Sequence, residues 1–279
     1  KTAYEISLGL VGAEMCIRDS AINGSGRAPQ AASVEELQGF GLNQIDYQRP
    51  HAVTVPGAVD AWSQLLADHG SKDFAELLQP AIRFAEYGYA VSPRVAMDWA
   101  ANAEKLSACP TAKRIFLPGG QALAAGEIHR QPELAKSLKA IAKDGRDAFY
   151  QGTIGDDIVA HLSSLGSLMT AEDFGQYRAQ YVEPIKTNYR GYDIFECPPN
   201  GQGVIALELL NIMSGFETEG VDPISVERLH SEIEAGRLAY QDRNIYVAAP
   251  AQAASTLSLI HISEPTSPRL VSYGGVCLK

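Results

Sequence analysis

The sequence predicts an α+β fold in one continuous domain, rich in helix and carrying only part of a sheet. Three observations predict it. From about residue 57 to 178 the apolar spacing and capping residues read as helix almost throughout, two β-rich runs then flank the turn NYRG at 188–191, and neither an internal repeat nor a low-complexity linker interrupts the chain. The composition, 46% hydrophobic and 20% charged over 279 residues, is that of a chain able to bury a sizeable core. The net charge of -10 is spread without any Lys/Arg-rich run, which argues against nucleic acid as a partner. No stretch has the roughly 18–20 uninterrupted apolar residues needed to span a bilayer, so no integral membrane span is expected.

The two ends are set apart first. Residues 15–20, MCIRDS, and 257–262, LSLIHI, are translations of one DNA element and of its reverse complement. The element looks like the transposon end used to prepare sequencing libraries. Residues 1–20 and 256–279 are therefore read as exogenous to the fold, as any fusion scar would be, and residues 21–255 as the domain. Cys16, Cys277 and His261 leave the list of functional candidates with them.

Within the domain, NGSGRAPQAAS at 23–33 reads as a turn-rich opening, and HAVTV at 51–55 alternates as a short strand would. Pro56-Gly57 then starts a helix to about Asp68. DFAELLQPAIRFAEYG places Phe74, Leu77, Leu78, Ile82 and Phe84 near helical spacing, with Asp73 as cap, Gly88 as stop and Pro80 expected to kink or divide it. Ser92-Pro93 and Gln131-Pro132 open two further helices, the second closing at Gly145, and TIGDDIVAHLSSLG and TAEDFGQY supply two more. The runs around NYRG predict an antiparallel hairpin, with Pro184 marking an edge or a bulge. A helix follows the glycine-rich turn PPNGQG at 198–203, and SVERLHSEIEAGRLAYQDRNIYV forms a long amphipathic helix.

The residues alone assemble no complete catalytic site. NGSGRAP lacks the third glycine of a dinucleotide fingerprint, and Pro29 follows before any helix could receive a phosphate. Arg27 is its chemical asset, since a planar guanidinium suits bidentate pairing with a carboxylate. PPNGQG reads as a tight strand-to-helix turn, although amides at that helix start could face an anion. The histidines at 51, 69, 129, 161 and 230 form no HExxH or Ser/His/Asp arrangement, Cys109 and Cys197 read as buried small hydrophobes, and Glu227, Glu232, Glu234 and Asp242 read as a solvated helix face. No metal site and no cofactor is expected.

Taken in order, GSGRAP, HAVTVPGAVDAW, LLQPAIRFAEYGYAVS, LAKSLKAIAKDGRDAFYQGTIGDDIV, LMTAEDFGQYRA, PIKTNYRGYDIFECPPNGQG and RLAYQDRNIYV resemble the large-subunit region of the gamma-glutamyltranspeptidase family, over residues 23 to about 250. The resemblance implies an N-terminal-nucleophile hydrolase with an αββα sandwich, here incomplete, made as a precursor that cuts itself into large and small subunits. It implies a gamma-glutamyl donor such as glutathione, an acceptor that is an amino acid, a peptide or water, and a periplasmic or secreted location. The nucleophile implied is the N-terminal threonine of the small subunit, beyond the domain read here, so no catalytic residue is expected in this chain and the chain alone is expected to be inactive.

Many members carry their substrate arginine four residues before the proline of an Arg-Glu-Thr-Ala-Pro motif. Here Ser25 stands at that position and Arg27 two residues nearer Pro29. Ser25 and Arg27 are the candidate substrate-binding residues. The shift leaves room for an acylase of the same fold acting on glutaryl or cephalosporin-type amides, and a non-catalytic binding homologue is the third alternative.

Overall fold

The computed structural model describes residues 14–17, 20–46, 48–218 and 220–247. Residues 256–279, with His261 and Cys277, lie outside the described residues. The elements run in the order β1 (Glu14–Ile17), β2 (Ser20–Asn23), α1 (Val34–Gly39), α2 (Ala58–His69), α3 (Phe74–Tyr87), β3 (Tyr89–Ala90), α4 (Pro93–Ala101), α5 (Ala103–Ser107), α6 (Pro110–Phe116), β4 (Ile128–His129), α7 (Pro132–Asp144), α8 (Arg146–Tyr150), α9 (Thr153–Ser164), α10 (Ala171–Gln176), β5 (Gln180–Val182), β6 (Ile185–Tyr189), β7 (Tyr192–Glu196), α11 (Gly203–Ser214) and α12 (Val226–Tyr246). The result is the helix-rich α+β fold expected. The chain forms two compact units, one from the residues up to Arg27, Pro56–Ala61 and the residues from Arg178 onward, the other from Ala28–Val55 and Trp62–Tyr177.

The helical unit is built where the capping residues place it. Asp73 accepts from the Glu76 amide at 2.6 Å, and Ser92 caps α4 through the Val95 amide. Gly88 and Gly145 end α3 and α7 at positive φ, where a side chain would be strained. Leu78, Ile82 and Ala85 of α3 are buried, as are Ala135 and Ile141 of α7, the helix that α3 packs against. A second cluster joins α8 and α10, with Tyr150, Phe174 and Tyr177 buried and Phe149 stacked on Phe174. Arg146 lies over the Tyr150 ring and donates to the Tyr177 carbonyl at 2.6 Å.

Thr170 and Asp173 form a capping box at the start of α10, the Thr170 amide and hydroxyl reaching the Asp173 carboxylate at 2.9 and 2.7 Å. Thr170→Ala is expected to lower the unfolding free energy by about 1 kcal/mol, read as a lower urea midpoint with unchanged slope.

Several expectations are corrected. HAVTV is no strand: Pro50–Ala52 makes a short 3-10 turn closed by the Val53 amide on the Pro50 carbonyl, and Pro50 and Pro56 leave no ladder donor at either side of the run. α3 runs through Pro80 undivided. The helix expected after Ser92 divides at Asn102, whose backbone amide and side-chain Nδ2 both donate to the Asp98 carbonyl and so end α4. Cys109 is exposed, while Cys197 is buried as read.

The other unit holds the sheet strands that matter for the site. β6 and β7 make the expected hairpin, Tyr189 facing Tyr192 across Arg190 and Gly191, both at positive φ as a two-residue turn of this kind requires. Pro184 does more than mark an edge. It separates β6 from β5, and β5 pairs instead with β2, Ile22 opposite Tyr181, while β1 pairs with the other side of β2. Behind the hairpin, Val204, Ile205 and Leu207 of α11 and Ala239 of α12 form a core with Ile185 and Ile194 packed against it. Asp60 is fully buried in the same unit and accepts from the Ala179 amide at 2.7 Å, a partner that offsets the cost of burying a polar side chain.

Candidate functional site

The two glycine-rich turns singled out in the sequence lie in one unit and meet. The first leaves β2 at Asn23 and runs through Gly24, Ser25 and Gly26 to Arg27 without regular structure. The second, residues 198–203, leads from β7 into α11. The Asn23 side-chain Nδ2 donates to Asn200 Oδ1 at 2.9 Å, a partly buried bond between residues 177 positions apart. Asn23 Oδ1 accepts the Ser25 amide at 2.9 Å, the short-range bond by which an asparagine side chain shapes a turn. Ser25 is thus half-buried and held by its backbone, and the Arg27 side chain is exposed.

The second turn is held from behind. Gln202 Oε1 accepts from Arg243 Nη1 of α12 at 3.4 Å, and the Arg243 guanidinium lies 4.7 Å from the centre of the Tyr240 ring. A Cβ on Gly203 would stand 2.6 Å from Cβ of Glu196, so glycine at the first position of α11 is demanded by the end of β7. Buried Cys197 lies with its Sγ 3.9 Å from the Ile22 carbonyl, a further contact between β2 and the strand end that carries the turn.

One group in α11 escaped the sequence reading. Glu208 is 6% exposed, its Oε2 has no hydrogen-bond partner among the described residues, and burial together with the Asp242 carboxylate pushes its pKa up to about 7. The signal was a single carboxylate inside the apolar run VIALELL. Asp242 correspondingly leaves the solvated face assigned to it and is only partly exposed. Among the described residues no group of three or more His, Cys, Asp or Glu side chains is placed to hold a metal ion, and no helix is long and apolar enough to cross a membrane.

Sequence and fold comparisons agree on what this arrangement is. The chain superposes on a Bacillus halodurans cephalosporin acylase with a TM-score of 0.80 and 37% identity, covering 88% of this chain and 47% of that one. It superposes on Helicobacter pylori gamma-glutamyltranspeptidase with a TM-score of 0.81 and 26% identity, covering 94% and 78%. The class is therefore the N-terminal-nucleophile hydrolase fold, of which this chain carries a helix-rich part. The sequence pattern of the family described as Gamma-glutamyltranspeptidase matches residues 13–271, and the chain belongs to that family. It is 37% identical over 234 residues to the glutathione hydrolase-like YwrD proenzyme of Bacillus subtilis, a match covering 83% of this chain and 44% of the relative, so the chain spans less than half the length of that relative.

Proposed function

We propose that the complete protein transfers a gamma-glutamyl group from glutathione or a similar amide donor to an amino acid, a peptide or water. The domain at 21–255 supplies its large-subunit part. A small subunit cut from the same precursor supplies an N-terminal threonine, whose hydroxyl attacks the donor carbonyl while its own amine takes the proton and passes it to the leaving amine. Backbone or side-chain donors stabilise the oxyanion, and the acceptor then releases the acyl group from the threonine. Of the described residues, Arg27 holds the donor's carboxylate, with Ser25 beside it.

The observation that carries this reading is family membership combined with an exposed arginine on a tethered loop after β2. The test is the complete gene product assayed on gamma-glutamyl-p-nitroanilide and on glutaryl amides. Turnover of the first with release of p-nitroaniline is expected, and no gamma-glutamyl turnover sinks the reading. Arg27→Ala is expected to raise KM for the gamma-glutamyl donor by about 10- to 100-fold, the worth of a charged hydrogen-bonded pair, measured by initial rates.

A second reading, an acylase for glutaryl or cephalosporin-type amides, is favoured by one feature. Arg27 stands two residues closer to Pro29 than the family's usual arginine, and a carboxylate held there would suit a differently shaped acyl chain. Preference for the glutaryl amide in the same assay selects it.

A further inference from the structure

We infer that Asn23 and Asn200 are positioning residues, which fix the loop between Asn23 and Arg27 against the turn before α11 so that the guanidinium meets a substrate carboxylate in one place. The inference rests on the reading of Arg27 as the carboxylate anchor.

The composition of the loop makes it pliable unless it is tethered. Gly24 and Gly26 alternate with Ser25, and glycines carry the greatest backbone freedom, so an untethered segment of this composition spreads Arg27 over many positions. Asn23 counters that with both ends of one amide. Its Oδ1 sets the first bend through the Ser25 amide, and its Nδ2 fastens that bend to Asn200. Asn23 is itself fixed, as the last residue of β2, opposite Gln180 of β5. Asn200 is fixed through its turn, by Arg243 on Gln202 and by the fit of Gly203 against Glu196. The amide pair therefore joins two anchored points, and the span it stabilises ends at Arg27.

The chemistry of amides gives a test that simple loss of packing does not mimic. In Asn23→Asp the new carboxylate still accepts the Ser25 amide, and Asn200 can turn its amide to donate. In Asn200→Asp the carboxylate accepts from Asn23 Nδ2. Each single aspartate keeps a bond, whereas the double variant sets two carboxylates against each other. In the complete, self-cleaved enzyme, Asn23→Ala and the double aspartate variant are expected to raise KM for gamma-glutamyl-p-nitroanilide about three- to tenfold with kcat little changed, the worth of one neutral hydrogen bond. The single aspartate variants are expected to stay close to the parent.

If Arg27→Ala raises KM but Asn23→Ala does not, or if the double aspartate variant behaves like the singles, the positioning role is wrong and the anchor stands. If Arg27→Ala leaves KM unchanged, the anchor reading fails and this one with it. Thermal midpoints of all variants guard against misfolding. Should Asn23→Ala fail to fold, the contrast between single and double aspartates decides.

Discussion

Replacing Glu208 by glutamine is expected to remove a loss of stability that the parent protein suffers as pH rises from about 4.5 to about 7. The sign follows from the direction of the shift. Burial and Asp242 raise the carboxyl from 4.5 to about 7, so the folded state holds this proton more tightly than the unfolded chain does. The favourable contribution is complete below the unfolded value and gone above the folded one. At about 1.4 kcal/mol per pH unit the span amounts to about 3 kcal/mol at most. Urea midpoints of parent and Glu208→Gln at pH 5 and pH 8 check it: the variant should gain on the parent between the two. Parallel behaviour of the two proteins would contradict the assignment. Buried His129, whose imidazole burial holds below its usual pKa, acts in the opposite sense by weakening the fold as pH falls through 6.5, which is why the comparison is between variant and parent.

Phe174→Ala is expected to cost about 3–5 kcal/mol, the range for removing a large buried aromatic side chain. Phe174 is 1% exposed, with the Phe149 ring centre at 6.2 Å and the Tyr150 ring centre at 6.3 Å. The site has little means of collapsing to fill the space. On one side Gly155, in contact range of the Phe174 ring, sits so close to α8 that a Cβ there would lie 2.6 Å from the Phe149 carbonyl oxygen, which fixes the backbone of α9 against α8. Phe174→Leu, which keeps most of the volume, should cost about 1–1.5 kcal/mol. Guanidinium unfolding followed by tryptophan fluorescence measures both, and equal midpoints for Phe174→Ala and the parent would show the cluster to be loosely packed.

What the sequence made legible was what short-range chemistry decides. Ser92, Asp73 and Thr170 at helix starts, Gly88 and Gly145 at helix ends and Asn188-Tyr-Arg-Gly at the hairpin each act within about four residues of themselves, and each acts as read. The errors have local causes too, once the competing bond is known: Asn102 turns its own side chain onto the Asp98 carbonyl, and Pro50 prefers a turn to a ladder. Pairings across long stretches of chain were invisible. Nothing near Asn23 announces Asn200, since an asparagine before a glycine is already explained as a turn residue. Arg27 is offered as an anchor by its guanidinium chemistry and, with Ser25, by the likeness of a whole segment to a family, a signal that carries position but no hydrogen bond.

The pairing of β2 with β5 has a consequence in time. Ile22 is fully buried, yet its partner on one side, Tyr181, is made only after all of the helical unit has been synthesised. At ribosomal speeds of about 5–20 residues per second that edge of β2 waits about 10–30 s after it leaves the ribosome, with its backbone groups and the Ala21–Ile22 pair open to any other extended segment. The nascent chain therefore carries one unpaired edge of β2 through the synthesis of the whole helical unit, and the α-helices that fold meanwhile cannot shorten the wait.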